Sequence, residues 1–218
     1  MKPRRLHSAT IFSMVTTSGC VGEGSFMAGR DGSRASPPPR PAGARARSLR
    51  WRAVARILIV AGGCRGRRLA EAIVGEGHAA RITSRSEDTR AAIEAAGAEC
   101  WIGTPDRLAT LRGALENVTI LCWLLGTAVG SPEELCALHG SRLEYFMTQA
   151  IDTTVRGVVY ESRGADAAAQ MLASGEAIVR TLAERNSIPT AFLNADPRDN
   201  DGWRTDALGA IDSLLSRA

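Results

Sequence analysis

From Arg56 onward, short apolar runs alternate with longer stretches of helical period, and the alternation repeats six times. Parallel strands need long crossovers, and a right-twisted strand feeding a helix returns to its sheet with one hand. Strict alternation therefore leaves few solutions other than a parallel sheet covered by helices on both faces. Strands are read at about 57–61, 80–84, 99–102, 118–125, 155–161 and 189–194, and helices at about 65–76, 87–97, 106–115, 131–150, 165–186 and 201–216. Gly75 and Gly77 end the first helix and Gly97 the second, while Pro105-Asp106 and Ser131-Pro132 open the third and fourth. Pro189 ends helical structure before the last strand. The expected class is α/β, a doubly wound six-stranded parallel sheet of order 3-2-1-4-5-6 in three layers, over residues 54–218.

Composition agrees with one well-buried domain, at 44% hydrophobic and 23% charged residues. The net charge of +4 hides a division. Residues 1–56 hold 11 Lys and Arg against 2 Asp and Glu, leaving 16 against 21 for the remainder. The basic excess belongs to the tail, so no nucleic-acid partner is expected for the folded part. Residues 1–53, with Ser36-Pro37-Pro38-Pro39-Arg40-Pro41 among them, show no periodicity and are expected to be a disordered basic tail. A targeting segment, a lipoprotein-like signal ending at Cys20 and an anion-binding arm are competing readings of that tail. The apolar stretch from Ile11 to Val15 is short for a secretory core, and Thr17 stands where such a signal carries leucine. The leading reading is an upstream extension with no structural role.

The five cysteines, at 20, 64, 100, 122 and 136, form no Cys-x-x-Cys pair and accompany no histidine at zinc-finger spacing. No metal site is expected, and buried reduced thiols in a reducing, cytoplasmic compartment are. No run of 18 apolar residues exists, so neither a transmembrane helix nor a membrane partner is expected.

The first strand runs into Ala61-Gly62-Gly63-Cys64-Arg65-Gly66, which fits G-x-G-x-x-G with alanine at the first position. Unpaired N–H groups at a helix start attract a diphosphate, and glycine lets it approach the backbone. Ala61 requires an unstrained backbone at the turn, Gly63 allows the approach, and Gly66 lets helix pack on strand. A glycine turn serving packing alone fits the same residues. The second strand ends Thr83-Ser84-Arg85 with no acid to grip ribose hydroxyls. Arg85 and Ser84 are suited to a 2′-phosphate, which tilts the expected cofactor toward NADP over NAD. Arg67 and Arg68 add local positive charge or form a solvated helix face.

These features resemble the atypical and extended short-chain dehydrogenase/reductases, including the NAD-dependent epimerase/dehydratase-like and NmrA-like groups, over about residues 56–195. The resemblance implies a Rossmann fold with NAD(P) bound, and cofactor contacts from Gly103-Thr104 after the third strand and from Leu125-Gly126 after the fourth. Where the family carries Gly-Asp against adenine, this chain has Gly103-Thr104, with Asp106 two residues on. The fifth strand, Val155 to Ser162, looks like the family strand that ends in a catalytic serine, which makes Ser162 the candidate catalytic residue. The family's Tyr-x-x-x-Lys pair has no counterpart, because the single lysine is Lys2 and neither Tyr145 nor Tyr160 is followed by one. The C-terminal substrate lobe of extended members is also missing from the pattern.

Other residues have plainer readings. His78 and His139 are expected to be surface or helix-end residues, and the polar run Asp196 to Asp201 to be a solvated loop and helix cap, with a metal reading also open to it. Trp101 and Trp123 are expected to pack on the sheet, and Trp203 to cover a sheet edge or make a dimer contact. Glu161 and Glu176 are the acids expected nearest a nicotinamide. Two functions follow: a dinucleotide-binding or sensing module that answers to a protein partner or homodimer, or an NADP-dependent oxidoreductase or epimerase of non-standard type, in which Ser162, Thr127 or a glutamate moves the proton. A fold retained without cofactor is the third.

Overall fold

A computed structural model of the chain describes residues 54–61, 63–164 and 168–217. The expectations for residues 1–53 and for Gly62 lie outside them. Six parallel strands form one sheet in the order β3-β2-β1-β4-β5-β6, as the alternation predicts. They are β1 (Arg56–Val60), β2 (Ala79–Ser84), β3 (Glu99–Ile102), β4 (Ile120–Trp123), β5 (Gly157–Glu161) and β6 (Thr190–Leu193). The helices are α1 (Cys64–Gly75), α2 (Arg90–Ala95), α3 (Pro132–His139), α4 (Ser141–Ile151), α5 (Ala169–Arg185) and α6 (Asn200–Leu215).

Side chains alternate across a strand, so each central strand feeds two cores. In β1, Ile57 and Ile59 pack under α1 and α6 with Leu69, Ile73, Trp203 and Ile211. Leu58 and Val60 point to the other face, against Leu143, Phe146 and Met147 of α4 and Val179 of α5. Trp123 in β4 is fully buried there, its ring centroid 5.6 Å from that of Phe146.

Several expectations need correcting. Residues 106–115 form no α-helix but two short 3-10 turns, Leu108–Thr110 and Arg112–Leu115. Gly113 explains part of this, since a Cβ there would meet the Trp101 ring at 2.8 Å and the segment must lie close on β3. The helix expected over 131–150 is two helices, broken where Gly140 leaves the helical region at φ −109°, ψ −111°. His78 follows the end of α1 and His139 closes α3, so both stand at helix ends as expected, but they are buried, at 8% and 1% exposure, and not at the surface. His78 Nδ1 accepts the Ala55 N–H, and His139 Nδ1 lies 2.9 Å from the Tyr160 hydroxyl. Of the thiols, Cys100 and Cys122 are buried but Cys64 and Cys136 are exposed. Trp203 is buried in the core under α6 rather than covering a sheet edge.

Apart from Pro105-Asp106, which opens no helix, cap chemistry follows the residues expected to supply it. Ser131 and Glu134 form a complete capping box with Pro132 at the first position of α3. Asp199 caps α6 by accepting the Gly202 N–H at 3.0 Å. Gly77 and Gly97 take left-handed φ values of 88° and 77° just past α1 and α2, where a side chain would be strained. Among the described residues no helix is long and apolar enough to cross a membrane, and no three His, Cys, Asp or Glu side chains group as metal ligands do.

Candidate functional site

The strand order reverses between β1 and β4, and a cleft of about 620 Å³ opens there beyond the C-terminal ends of the strands. It brings together most of the residues expected to contact a dinucleotide. Ala61, Gly63, Cys64, Arg65 and Gly66 line it from the turn after β1, Ser84 and Arg85 from β2, Gly103 and Thr104 from β3, and Leu125 from β4. Gly126 and Ser162 are not part of its wall.

The turn after β1 suits an anion. Gly63 caps α1 in an extended conformation, φ −74° and ψ 179°, with no side chain bonded to the first turn and no acid in it. The amides of the first helical turn have no intrahelical acceptor. A Cβ on Gly63 would meet nothing within 4 Å, so the backbone there faces open space. On Gly66 a Cβ would collide with the Ala61 carbonyl, so glycine at 66 serves the close approach of α1 to the loop. Ala61 has no positive φ, and alanine is accommodated at the turn without strain.

Arg85 is exposed at the rim and makes no ion pair or hydrogen bond among the described residues. Ser84 differs. Its Oγ lies within hydrogen-bond reach of the Ser86 carbonyl at 3.0 Å, the Ser86 N–H at 3.2 Å and the Thr89 hydroxyl at 2.5 Å, so it orders the following turn and has little capacity left for a ligand. The next acids along are also engaged: Glu87 is held by Arg90, which keeps its carboxyl below the usual range, and Asp88 accepts from Ser86 Oγ at 2.8 Å. After β3, Thr104 Oγ1 donates to Asp106 Oδ2 at 3.0 Å, and Asp106 pairs across the cleft with Arg142 at 2.6 Å.

Beneath the cleft lies a buried charge cluster that the motifs did not reveal. Glu161, at the end of β5 and 1% exposed, accepts the Gly126 N–H at 2.7 Å and Trp203 Nε1 at 2.8 Å. Arg65 Nη1 stands 3.1 Å from Glu161 Oε1, close enough for charge pairing though not aligned as a hydrogen bond. The same guanidinium lies 4.6 Å from the Trp203 ring centroid, and Nη2 donates to Thr127 Oγ1 at 2.6 Å. Arg65 thus joins α1 to the β4 loop, β5 and α6 instead of reaching outward. Gly126 belongs to this cluster: a Cβ there would press on Glu161 at 2.9 Å and on the Arg163 carbonyl at 2.5 Å. Proximity in sequence to the end of β4 suggested a cofactor contact, yet close packing is what requires glycine.

Ser162 Oγ is buried without a hydrogen-bond partner, outside the cleft wall. Glu176 is on α5, paired with Arg180 at 2.7 Å. Tyr160 is buried in β5 against His139, and burial raises its hydroxyl above the ordinary range, while Tyr145 is 52% exposed on α4.

Solved structures of similar shape carry the same sheet. The structure of gox2253 superposes with a TM-score of 0.52 at 20% sequence identity, covering 64% of this chain and 50% of that one. The triphenylmethane reductase of Citrobacter sp. gives 0.51 at 18%, covering 64% and 48%. This chain has the Rossmann fold. A short-chain dehydrogenase from Rhodopseudomonas palustris shares that Rossmann architecture at a TM-score of 0.53 and 12% identity, over 74% of this chain and 93% of its own. The chain spans about half the length of the first two. No protein-family model and no curated protein sequence matches it.

Proposed function

We propose that this Rossmann domain binds NAD(P), with preference for NADP(H), and that cofactor occupancy rather than standard short-chain dehydrogenase turnover is its output. The observation that carries the reading is the first turn of α1. Its amides open on the cleft beside Gly63, with no side chain or acid in competition for the position of a diphosphate. Arg85 is the residue that would hold a 2′-phosphate: it is exposed, unpartnered among the described residues and placed at the end of β2. The acids that follow it are turned to Arg90 and Ser86.

The sensing part rests on the proton-transfer chemistry. Neither tyrosine is followed by a lysine four residues on, and no lysine stands among the described residues to lower a tyrosine hydroxyl for exchange with a substrate oxygen. A structural neighbour named as a reductase and another crystallised as an epimerase with NAD lend weight to the cofactor class. Titration with NADPH and NADH, following tryptophan fluorescence, tests the reading, because Trp203 lines the cleft. NADPH is expected to saturate at lower concentration than NADH, and Arg85→Asp to weaken NADPH by roughly tenfold or more while leaving NADH nearly unchanged. Equal affinities in both proteins would remove Arg85 from the site. Oxidation of NADPH with any member of an aldehyde and ketone panel would overturn the sensing part.

A further inference from the structure

Arg65 stands where a diphosphate calls for a cation, yet its guanidinium is turned to other partners. It is the second residue of α1 and lines the cleft with Gly63 and Gly66. Three contacts hold the guanidinium on the cleft wall. Nη2 donates to Thr127 Oγ1 at 2.6 Å, Nη1 stands 3.1 Å from Glu161 Oε1, and the Trp203 ring centroid lies 4.6 Å away. Thr127 and Trp203 line the same cleft. The hold is loose. The Thr127 bond is exposed to water, and Nη1 makes no hydrogen bond among the described residues, so its tie to Glu161 is charge alone. Glu161 has a hydrogen bond on each oxygen without Arg65, from the Gly126 N–H to Oε2 and from Trp203 Nε1 to Oε1. Bonds of that kind help to keep a buried carboxylate ionised.

We propose that Glu161 and Thr127 hold Arg65 back from the cleft, and that a diphosphate arriving at the first turn of α1 draws the guanidinium off them. The inference deepens the dinucleotide reading and rests on it for what arrives. A diphosphate gives the guanidinium paired, charge-assisted bonds, each roughly twice as strong as a neutral one. Its present holders give one neutral bond and one misaligned charge. The departure leaves Glu161, 1% exposed, without a counter-charge, and that cost falls on nucleotide binding and not on the free fold. A binding group that is turned away weakens the apparent affinity by the fraction of time it is available. Glu161 is therefore a positioning residue that tunes the site downward, and loosening its hold raises the affinity.

The test is isothermal titration calorimetry of the full chain with NADPH and, separately, with inorganic diphosphate. Thr127→Val and Glu161→Gln are expected to tighten both ligands, roughly threefold and tenfold, and Arg65→Met to weaken them roughly tenfold. In the Arg65→Met background Glu161→Gln is expected to shift the affinity by about twofold at most, the residue of a long-range charge effect. A Glu161 that only braced the fold would weaken binding when replaced, and the exposed Thr127 decides the sign even where Glu161→Gln fails to fold. Diphosphate has no near-ultraviolet absorbance, so a saturable change in tryptophan emission, lost in Arg65→Met and in Trp203→Phe, reports the guanidinium leaving the indole ring. Unchanged or weaker binding in Thr127→Val, or wild-type affinity in Arg65→Met, overturns the proposal. Diphosphate binding with the expected pattern but no NADPH binding would sink the dinucleotide reading and leave this one standing. NADPH binding without the pattern does the reverse, and binding of neither ligand sinks both.

Discussion

Glu161 shows how one side chain holds several elements together. Its two oxygens face three donors: the Gly126 amide, the Trp203 indole and the Arg65 guanidinium. A carboxylate accepts from all three, whereas an amide must turn its NH2 toward one of them. Glu161→Gln is therefore expected to cost about 3 kcal/mol, the scale at which a buried ion pair loses one partner. Denaturant unfolding measures this, and a loss under about 1 kcal/mol would mean that the cluster contributes little. Gly66 is the second residue with little latitude. A methyl group there meets the Ala61 carbonyl, a backbone atom that cannot swing aside. Gly66→Ala is expected to destabilise the chain by about 1–3 kcal/mol and to displace the loop, so NADPH affinity falls together with the melting temperature. Full affinity in that variant would contradict the role given to the turn.

At the scale of elements, α3, β5 and α5 meet at a buried polar contact. Tyr160 of β5 lies between His139 of α3 and the Leu172 carbonyl of α5, to which its hydroxyl is 3.2 Å away. Gly175 lets α5 come this close, since a Cβ there would strike the Tyr160 hydroxyl. Burial pushes the His139 imidazole down to about 4, opposed by the Leu125 backbone. The unfolded chain takes up a proton near pH 6.5 that the folded chain refuses until about 4, so stability is full above 6.5 and is lost as pH falls between these values. The loss amounts to no more than about 3 kcal/mol. Urea unfolding from pH 7 to 4 is expected to show this slope, and His139→Gln, which keeps a partner for the hydroxyl, to flatten it. An unchanged slope in the variant would assign the effect to other groups.

The same elements show what the sequence makes legible. Period and punctuation identified all six strands and their order, because parallel strands joined by helices have few packings. In place of the third helix stand two 3-10 turns that bring Gly113 against the Trp101 ring, a contact across elements that no local pattern encodes. The glycine-rich turn between β1 and α1 is legible because glycine spacing reports local backbone geometry. The cluster of Arg65, Thr127, Glu161 and Trp203 was not, since its members are spread over residues 65 to 203 and meet only in the folded sheet. Strand-end position alone does not show that the Gly126 amide is bonded to Glu161, or that Ser84 Oγ is bonded to the turn that follows it.

At the scale of the whole molecule, two apolar cores clamp one sheet, and the cleft lies at the C-terminal edge where both end. A ligand seated there contacts the ends of several strands and the start of α1, so its binding energy adds to the stability of the fold. At a hundred times its dissociation constant NADPH is expected to stabilise the native state by about 2.7 kcal/mol, seen as a melting temperature that climbs with nucleotide concentration. A melting temperature that stays constant would place the nucleotide elsewhere or nowhere. Whether the open amides at the start of α1 receive a diphosphate is read out by isothermal titration calorimetry with NADPH. One saturable site per chain, tighter for NADPH than for NADH, is the predicted result. No heat with either nucleotide would mean that these amides hold no dinucleotide.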